Sequence, residues 1–208
     1  MKTAIMIYTL ILSSFFLLHF AAQSVQAAEQ GGSRSAKATF AGGCFWCMEK
    51  PFEGLEGVEA VISGYIAGTT KDPNYENYAA GGHIEAVEVI YDPARISYEK
   101  LLDVFWRQID PTDPDGQFVD RGHSYTTAIF YHDQQQKEAA EKSKEALGAS
   151  NIFSKPIVTP ILPATTFYQA EEYHQDYYRK SPLRYKYYRY GSGRDQFLDK
   201  NWGKDREK

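Results

Sequence analysis

Short apolar runs of strand period alternate along this chain with longer stretches of helical period. Residues 37–41, 58–65, 86–91, 126–131 and 157–162 read as strands, rich in β-branched and aromatic residues, with Gly, Pro or Asp beside most of their ends. Leu101, Leu102, Phe105 and Ile109 form a stripe of helical spacing that Ser97 opens and Asp110-Pro111 closes, which predicts a helix over 98–109. Asp133 with Gln136 gives a capping-box-like start to a second helix, over 133–147, and Gly148 stands where a left-handed residue ends it. A third helix is predicted over 168–179, broken by Ser181-Pro182. Beyond Leu183 the chain is rich in Tyr, Arg and Gly without a clear period and reads as an irregular, wrapping tail. Strands alternating with helices, and no internal repeat, point to an α/β layer architecture of the α+β kind.

The first residues follow a different pattern. Lys2 precedes a mostly apolar stretch over 4–22, interrupted by Tyr8, Ser13, Ser14 and His19, and Val25-Gln26-Ala27 satisfies the small-x-small rule of signal peptidase. An export signal over 1–27, cleaved after Ala27, is therefore expected. An uncleaved membrane anchor is the alternative, because the run approaches spanning length; either way the domain faces a periplasmic or extracellular space. Residues 28–36 are small and polar, a linker by composition, and leave 37–208 as one folded domain. The net charge of −4 gives no footprint for nucleic acid, and removal of the leader takes away one lysine and no acid. The aromatic and basic run Tyr185-Lys186-Tyr187-Tyr188-Arg189-Tyr190 then reads as a rim of amphipathic tyrosines rather than a base-stacking platform.

Chemistry concentrates in Gly42-Gly43-Cys44-Phe45-Trp46-Cys47, which holds the only two cysteines of the chain. Two glycines at a strand end permit a tight turn into a helix. Cys44 in the first turn of that helix would have its thiolate stabilised by unpaired N–H groups, lowering its pKa. Pro51 should keep the helix short or kinked. From these residues alone three readings stand: a structural disulfide, a thioredoxin-like exchange pair, and a nucleophile with a resolving partner. A metal site lacks the four ligands expected of zinc.

The rest of the chain is specific. Gly43-Cys44-Phe45-Trp46, Gly64-Tyr65, Asn74-Tyr75, Gly82-His83-Ile84-Glu85, Asp110-Pro111-Thr112, Gly116-Gln117-Phe118-Val119-Asp120-Arg121-Gly122 with Tyr125, and Glu172-Tyr173-His174-Gln175 follow one another in order. Over about residues 37–180 the chain resembles the peptide-methionine (S)-S-oxide reductase family. The resemblance implies a two-layer, ferredoxin-like sandwich, and thiol-dependent reduction of methionine S-sulfoxide, free or in oxidised proteins, by a monomer. It implies Cys44 as nucleophile, Glu85 with Tyr75 and Tyr125 as hydrogen-bonding acids toward the sulfoxide oxygen, and Phe45 and Trp46 as the walls that hold the methyl group. Asp120 belongs to the same pocket by resemblance and to a turn by its local sequence. No metal or organic cofactor is implied, only an external, thioredoxin-like thiol reductant. His174 reads as a packed or rim residue. Two departures matter: Ala67 stands where the family has a glycine, and no cysteine follows Cys47, which leaves Cys47 or an external thiol to resolve the sulfenic acid formed on Cys44. An exported thiol–disulfide oxidoreductase, and a secreted binding domain with a structural disulfide, are the competing readings, but neither gives Glu85, Tyr75 or Tyr125 a task.

Overall fold

The computed structural model describes residues 35–204. Its strands are β1 (Ala36–Gly42), β2 (Val58–Ile66), β3 (Ile84–Tyr91), the short pair β4 (Gly116–Gln117) and β5 (Asp120–Arg121), then β6 (Thr127–Tyr131), β7 (Ile161–Pro163) and β8 (Tyr168–Gln169). Helices are α1 (Phe45–Glu53), α2 (Tyr98–Trp106), α3 (Gln134–Ala149), α4 (Tyr177–Lys180), α5 (Pro182–Gly191) and α6 (Arg194–Trp202). One six-stranded sheet runs in the order β7-β6-β1-β3-β2-β8, antiparallel throughout except between β6 and β7. Its centre, β6-β1-β3-β2, joined as β1-α1-β2-β3-α2-β6, is the split β-α-β arrangement of the ferredoxin-like fold. The predicted fold class is therefore the one observed.

Alternation along the strands decides which side chains meet the helices. Ala38 and Phe40 of β1 and Val87, Val89 and Tyr91 of β3 join Phe45, Met48 and Phe52 of α1 and Leu101, Leu102 and Phe105 of α2 in the main core. Phe40 stacks between Phe52, at 5.3 Å, and Phe105, at 5.0 Å. Each such side chain contributes about 1.5–3 kcal/mol by leaving water. The opposite face carries a smaller cluster of Ala41, Ile84, Ala86, Ala128 and Phe130. In β3 the same alternation puts Glu85 on the helix side, opposite Tyr65 of β2.

Several expectations are corrected. β1 opens at Ala36, inside the predicted linker; the remainder of that linker through residue 34, and the predicted leader over 1–27, lie outside the described residues. Gly148 is still helical, and the left-handed residue after α3 is Asn151, at φ 58°. The strand predicted over 157–162 shrinks to β7, since Pro156 and Pro160 have no N–H to give a ladder. The helix predicted over 168–179 is replaced by β8, a turn and the single-turn α4. Gln175 draws the backbone away from a helix there: its Oε1 accepts from Ser63 N (2.9 Å) and its Nε2 donates to Ser63 O (3.0 Å) and Ala170 O (2.8 Å). Asp176 then turns left-handed at φ 53°. The tail predicted to be irregular forms α5 and α6.

Candidate active site

β1 ends in Gly42, and Gly43 turns the chain at φ +79°, where a Cβ would also lie only 2.6 Å from Gln117 Cβ. Cys44 is thereby delivered as the residue preceding α1, with no side-chain cap of its own. The cap comes from across the sheet: Phe45 N, the first orphan donor of the helix, donates to Glu85 Oε2 at 3.0 Å. Pro51 lies inside this nine-residue helix and has no N–H for the carbonyl of Cys47, four residues back. That carbonyl accepts from Arg189 Nη1 of α5 instead, at 3.0 Å. The proline thus frees the acceptor that ties the C-terminal helices to the cysteine segment.

A small cavity of about 90 Å³ brings together Cys44, Phe45, Trp46, Tyr75, Glu85, Asp120 and Tyr125, and adds Tyr188. Cys47 is off its wall, buried one turn into α1. Glu85 is only 2% exposed, and burial pushes its carboxyl up to about 8 against the hydrogen bonds from Phe45 N and Tyr78 that favour the anion. At neutral pH it holds its proton. Tyr78, which sequence reasoning missed, lies with its hydroxyl 2.8 Å from Glu85 Oε1 and 3.3 Å from the Tyr125 hydroxyl. Its backbone N donates to Asn74 O at 2.8 Å, so Tyr75 and Tyr78 share one side of a helix-like turn, their rings 5.9 Å apart. Asn74 followed by tyrosines three positions apart was the signal for it. Once Glu85 has given up its proton, Tyr78 can donate to the carboxylate and Tyr125 to Tyr78, a path by which a proton spent at the cavity is replaced from its rim.

The apolar side is an aromatic cage around His174. Its Nδ1 accepts from Trp46 Nε1 at 3.0 Å, which fixes the tautomer with the proton on Nε2, and burial lowers its pKa so that the ring is neutral. Its ring lies 4.9 Å from Phe45 and 4.6 Å from Tyr75. His174 is packed, as expected, and through that packing it sets the positions of three cavity residues. Trp46 is further held by Tyr177, stacked at 3.7 Å and 8°. Asp120 is not in the turn that its local sequence suggested but just past it, in the β4–β5 ribbon opposite Gln117, and it lines the cavity, where its Oδ2 accepts from the Tyr188 hydroxyl.

The electrostatics of the cysteines reverse one expectation. Burial pushes the Cys44 thiol well up, and its hydrogen bond to Cys47 and the nearness of the Glu85 carboxyl push the same way, outweighing the helix start. Cys47 is pulled down to about 6, first by the hydrogen bond from Cys44 and then, against its burial, by Arg194 and Arg189. Within the pair Cys47 is thus the more acidic thiol. Arg194 is fully buried and donates to neutral acceptors, among them Gln108 O at 2.6 Å and Gly42 O at 3.0 Å. Both arginines come from the helices that stand in place of the predicted irregular tail, and no apolar period marks them.

The cavity offers a thiol, a neutral carboxylic acid backed by a tyrosine relay, and apolar aromatic walls. That set suits attack by sulfur on a small, polar, oxygen-bearing centre whose oxygen must be protonated and whose other substituents are apolar, the work of a thiol-dependent reductase. A model of the peptide methionine sulfoxide reductase family matches residues 36–206. The chain is similar to the peptide methionine sulfoxide reductase MsrA of Listeria monocytogenes serotype 4b, 59% identical over 168 residues that cover 80% of this chain and 95% of that one. It is similar in structure to Mxr1 from Saccharomyces cerevisiae in reduced form, with a TM-score of 0.68 at 30% identity over 73% of this chain and 88% of the other. It is also similar to Mxr1 in complex with Trx2, with a TM-score of 0.50 at 25% identity over 68% and 84% of the two chains. The chain belongs to the peptide methionine sulfoxide reductase family, and thiol-dependent reduction of methionine sulfoxide is its activity. Thiol–disulfide exchange as an alternative function finds no support in these likenesses.

Proposed function

We propose that the enzyme reduces the S epimer of methionine sulfoxide with Cys44 as nucleophile and Cys47 as resolving thiol, and that it does so outside the cytoplasm with a thioredoxin-like dithiol as electron donor. The observation that carries the reading is the buried Glu85 carboxyl beside Cys44 in the same cavity, where burial favours its protonated form. With the methyl group held by Phe45 and Trp46, the sulfoxide oxygen is directed toward Glu85 and the hydroxyls of Tyr75 and Tyr125. Fixing methyl and oxygen against two different walls leaves one direction for the rest of the substrate, which is how such a site tells one epimer from the other.

In the first step the Cys44 thiol passes its proton to Cys47, to which it is hydrogen-bonded, and its sulfur attacks the sulfoxide sulfur while the Glu85 proton passes to the oxygen. A sulfur–sulfur bond joins Cys44 to the substrate; the hydroxyl then moves to the Cys44 sulfur as that bond and the sulfur–oxygen bond break, the substrate leaves as methionine with two more electrons, and Cys44 is left as a sulfenic acid. Cys47 attacks that sulfur; a disulfide forms, and the hydroxyl leaves as water with the proton that Cys47 had taken. A dithiol then reopens the disulfide by exchange and becomes oxidised itself. The complex of Mxr1 with Trx2 supports a thioredoxin-like donor. The leader pattern over 1–27 supports export, and repair of surface methionines in an oxidising space is the purpose it suggests.

Single-turnover reduction of the S and R epimers of a blocked methionine sulfoxide, by the reduced protein and its Cys44→Ser and Cys47→Ser variants, tests the chemistry. Methionine is expected from the S epimer only, none with Cys44→Ser, and one equivalent with a persisting sulfenic acid in Cys47→Ser. Turnover of the R epimer, or a disulfide that still forms without Cys47, would refute it. Processing at Ala27 is read separately, from the N-terminal sequence of the protein recovered from its exporting host.

A further inference from the structure

The methyl wall of the cavity does not end at Trp46. On its outer side the indole and Tyr177 form one flank of an open groove of about 560 Å³, closed on the other side by Leu183, Arg184, Tyr187 and Tyr188. Trp46 and Tyr188 line both spaces, so the groove begins where the cavity stops. Its far wall is a helix that faces the wrong way for a core element. Leu183, Tyr187 and Tyr190 of α5 stand at i, i+4 and i+7, yet they are 81%, 85% and 71% exposed, while Tyr185 and Arg189 on the other side are buried. Apolar positions at that spacing normally face a core, and where they are left in water next to a cavity they mark a surface that receives something. Arg184 stands on this groove with no hydrogen bond or ion pair to any described residue.

We propose that the groove receives the apolar side chain flanking the oxidised methionine of a polypeptide, with Arg184 selecting a carboxylate beside it, so that oxidised protein is the preferred form of the substrate; this rests on the sulfoxide-reducing reading of the cavity. The cavity takes a thioether side chain and little more. Free methionine sulfoxide fills it and has no second side chain with which to reach the groove. A peptide runs out of the cavity over Trp46 and lays its next side chain against Tyr177, Leu183 and Tyr187. Apolar area leaves water on both partners, and an acid in the same segment meets an arginine that has no other partner among the described residues. Neither contact touches the reacting atoms, so both act on capture of the substrate and not on the chemical step.

The test uses the reduced full chain with dithiothreitol as electron donor and three S-sulfoxides: the free amino acid, a blocked peptide with Phe beside the oxidised methionine, and the same peptide with Ser. We expect kcat/KM to be about tenfold higher for the Phe peptide than for the Ser peptide. A Leu183→Ser, Tyr187→Ser double variant should erase that difference while leaving the free amino acid unchanged. Arg184→Glu should convert a preference for a flanking Glu into one for a flanking Lys. Equal rates for the Phe and Ser peptides, or an equal loss on all three substrates in the double variant, would overturn the proposal. So would a double variant that is impaired only when a thioredoxin-like protein replaces dithiothreitol, because that assigns the groove to the electron donor. Absence of turnover on every substrate in the unaltered protein would instead overturn the reading of the cavity, and the proposal with it.

Discussion

Cys44 and Cys47 are one helical turn apart and lie in opposite electrostatic surroundings. Cys44 faces the cavity, where its burial and the nearby Asp120 carboxyl oppose a charge on its sulfur. Cys47 faces inward, toward Arg189 and Arg194, which favour one. A shared helix start therefore does not give two cysteines the same reactivity; what packs against each sulfur decides it. The side that must deliver a proton keeps its acid neutral, and the side that must attack a sulfenic acid keeps its thiol ionised. If that division is correct, each half should be breakable without the other.

The largest effect should come from Glu85→Gln, which keeps the shape and removes the proton. Reduction of the sulfoxide should slow by roughly 10²–10⁴-fold, while disulfide formation after peroxide oxidation of Cys44 proceeds as before; single-turnover rates of the two steps separate them. In the unaltered protein the reduction rate should fall as pH rises through about 8, where Glu85 loses its proton. That limb should vanish in the glutamine variant. A variant slowed equally in both steps would remove the distinction between the two sides.

Arg194→Gln addresses the other half. Without the guanidinium the Cys47 thiol should titrate higher, read as an upward shift in the ultraviolet absorbance of the thiolate, and disulfide formation at neutral pH should slow by up to about tenfold for each pH unit of that shift. Sulfoxide reduction should be untouched, and Arg194→Lys, which retains the charge, should restore much of the loss. An unchanged thiolate titration would show that the arginine only fills space. The smallest effect belongs to Tyr78→Phe, which removes one hydrogen bond to a carboxyl that remains neutral. A decrease in the reduction step of about twofold to tenfold is expected, equivalent to about 0.5–1.5 kcal/mol. No change there, with an intact pH profile, would assign proton return to Tyr125 or water.

The sequence made the acidic side far more legible than the basic one. The strands of the ferredoxin-like core carry period-two patterns, and Ser97 and Asp133 cap their helices as read, accepting from Lys100 N at 3.2 Å and Gln136 N at 2.8 Å. The cavity residues sit in motifs that the family resemblance identifies, and the structure draws those residues into one space. The helices that bring Arg189 and Arg194 were not legible, because their buried positions are Tyr185, Arg189, Arg194 and Leu198 and so make no apolar stripe. A buried arginine and an exposed tyrosine invert the signal on which periodicity depends. The sign of the Cys44 shift was missed for a related reason. A helix start is visible in a sequence, whereas the burial that outweighs it is a property of distant segments.

Glu85 also accepts from the first N–H of α1, so the residue that holds the reactive proton is part of how the helix bearing both cysteines begins. Its carboxyl titrates near 8 in the fold, against an ordinary value of 4.5. Below pH 4.5 folded and unfolded chains both keep that proton, and its contribution to stability is fully present. Between 4.5 and 8 the unfolded chain releases the proton and the folded one retains it, so that contribution is lost as pH rises through the window and then levels off. Glutamine at the same place has no proton to release. The Glu85→Gln protein should therefore melt progressively higher, relative to the unaltered protein, as buffers are taken from pH 4.5 to pH 8. A melting difference that stays constant over that range would mean that the acid is not held neutral. If the difference grows, the inactive protein is the more heat-resistant one at the pH where the enzyme works, and the fold tolerates an acid that opposes its own stability in order to have a proton ready.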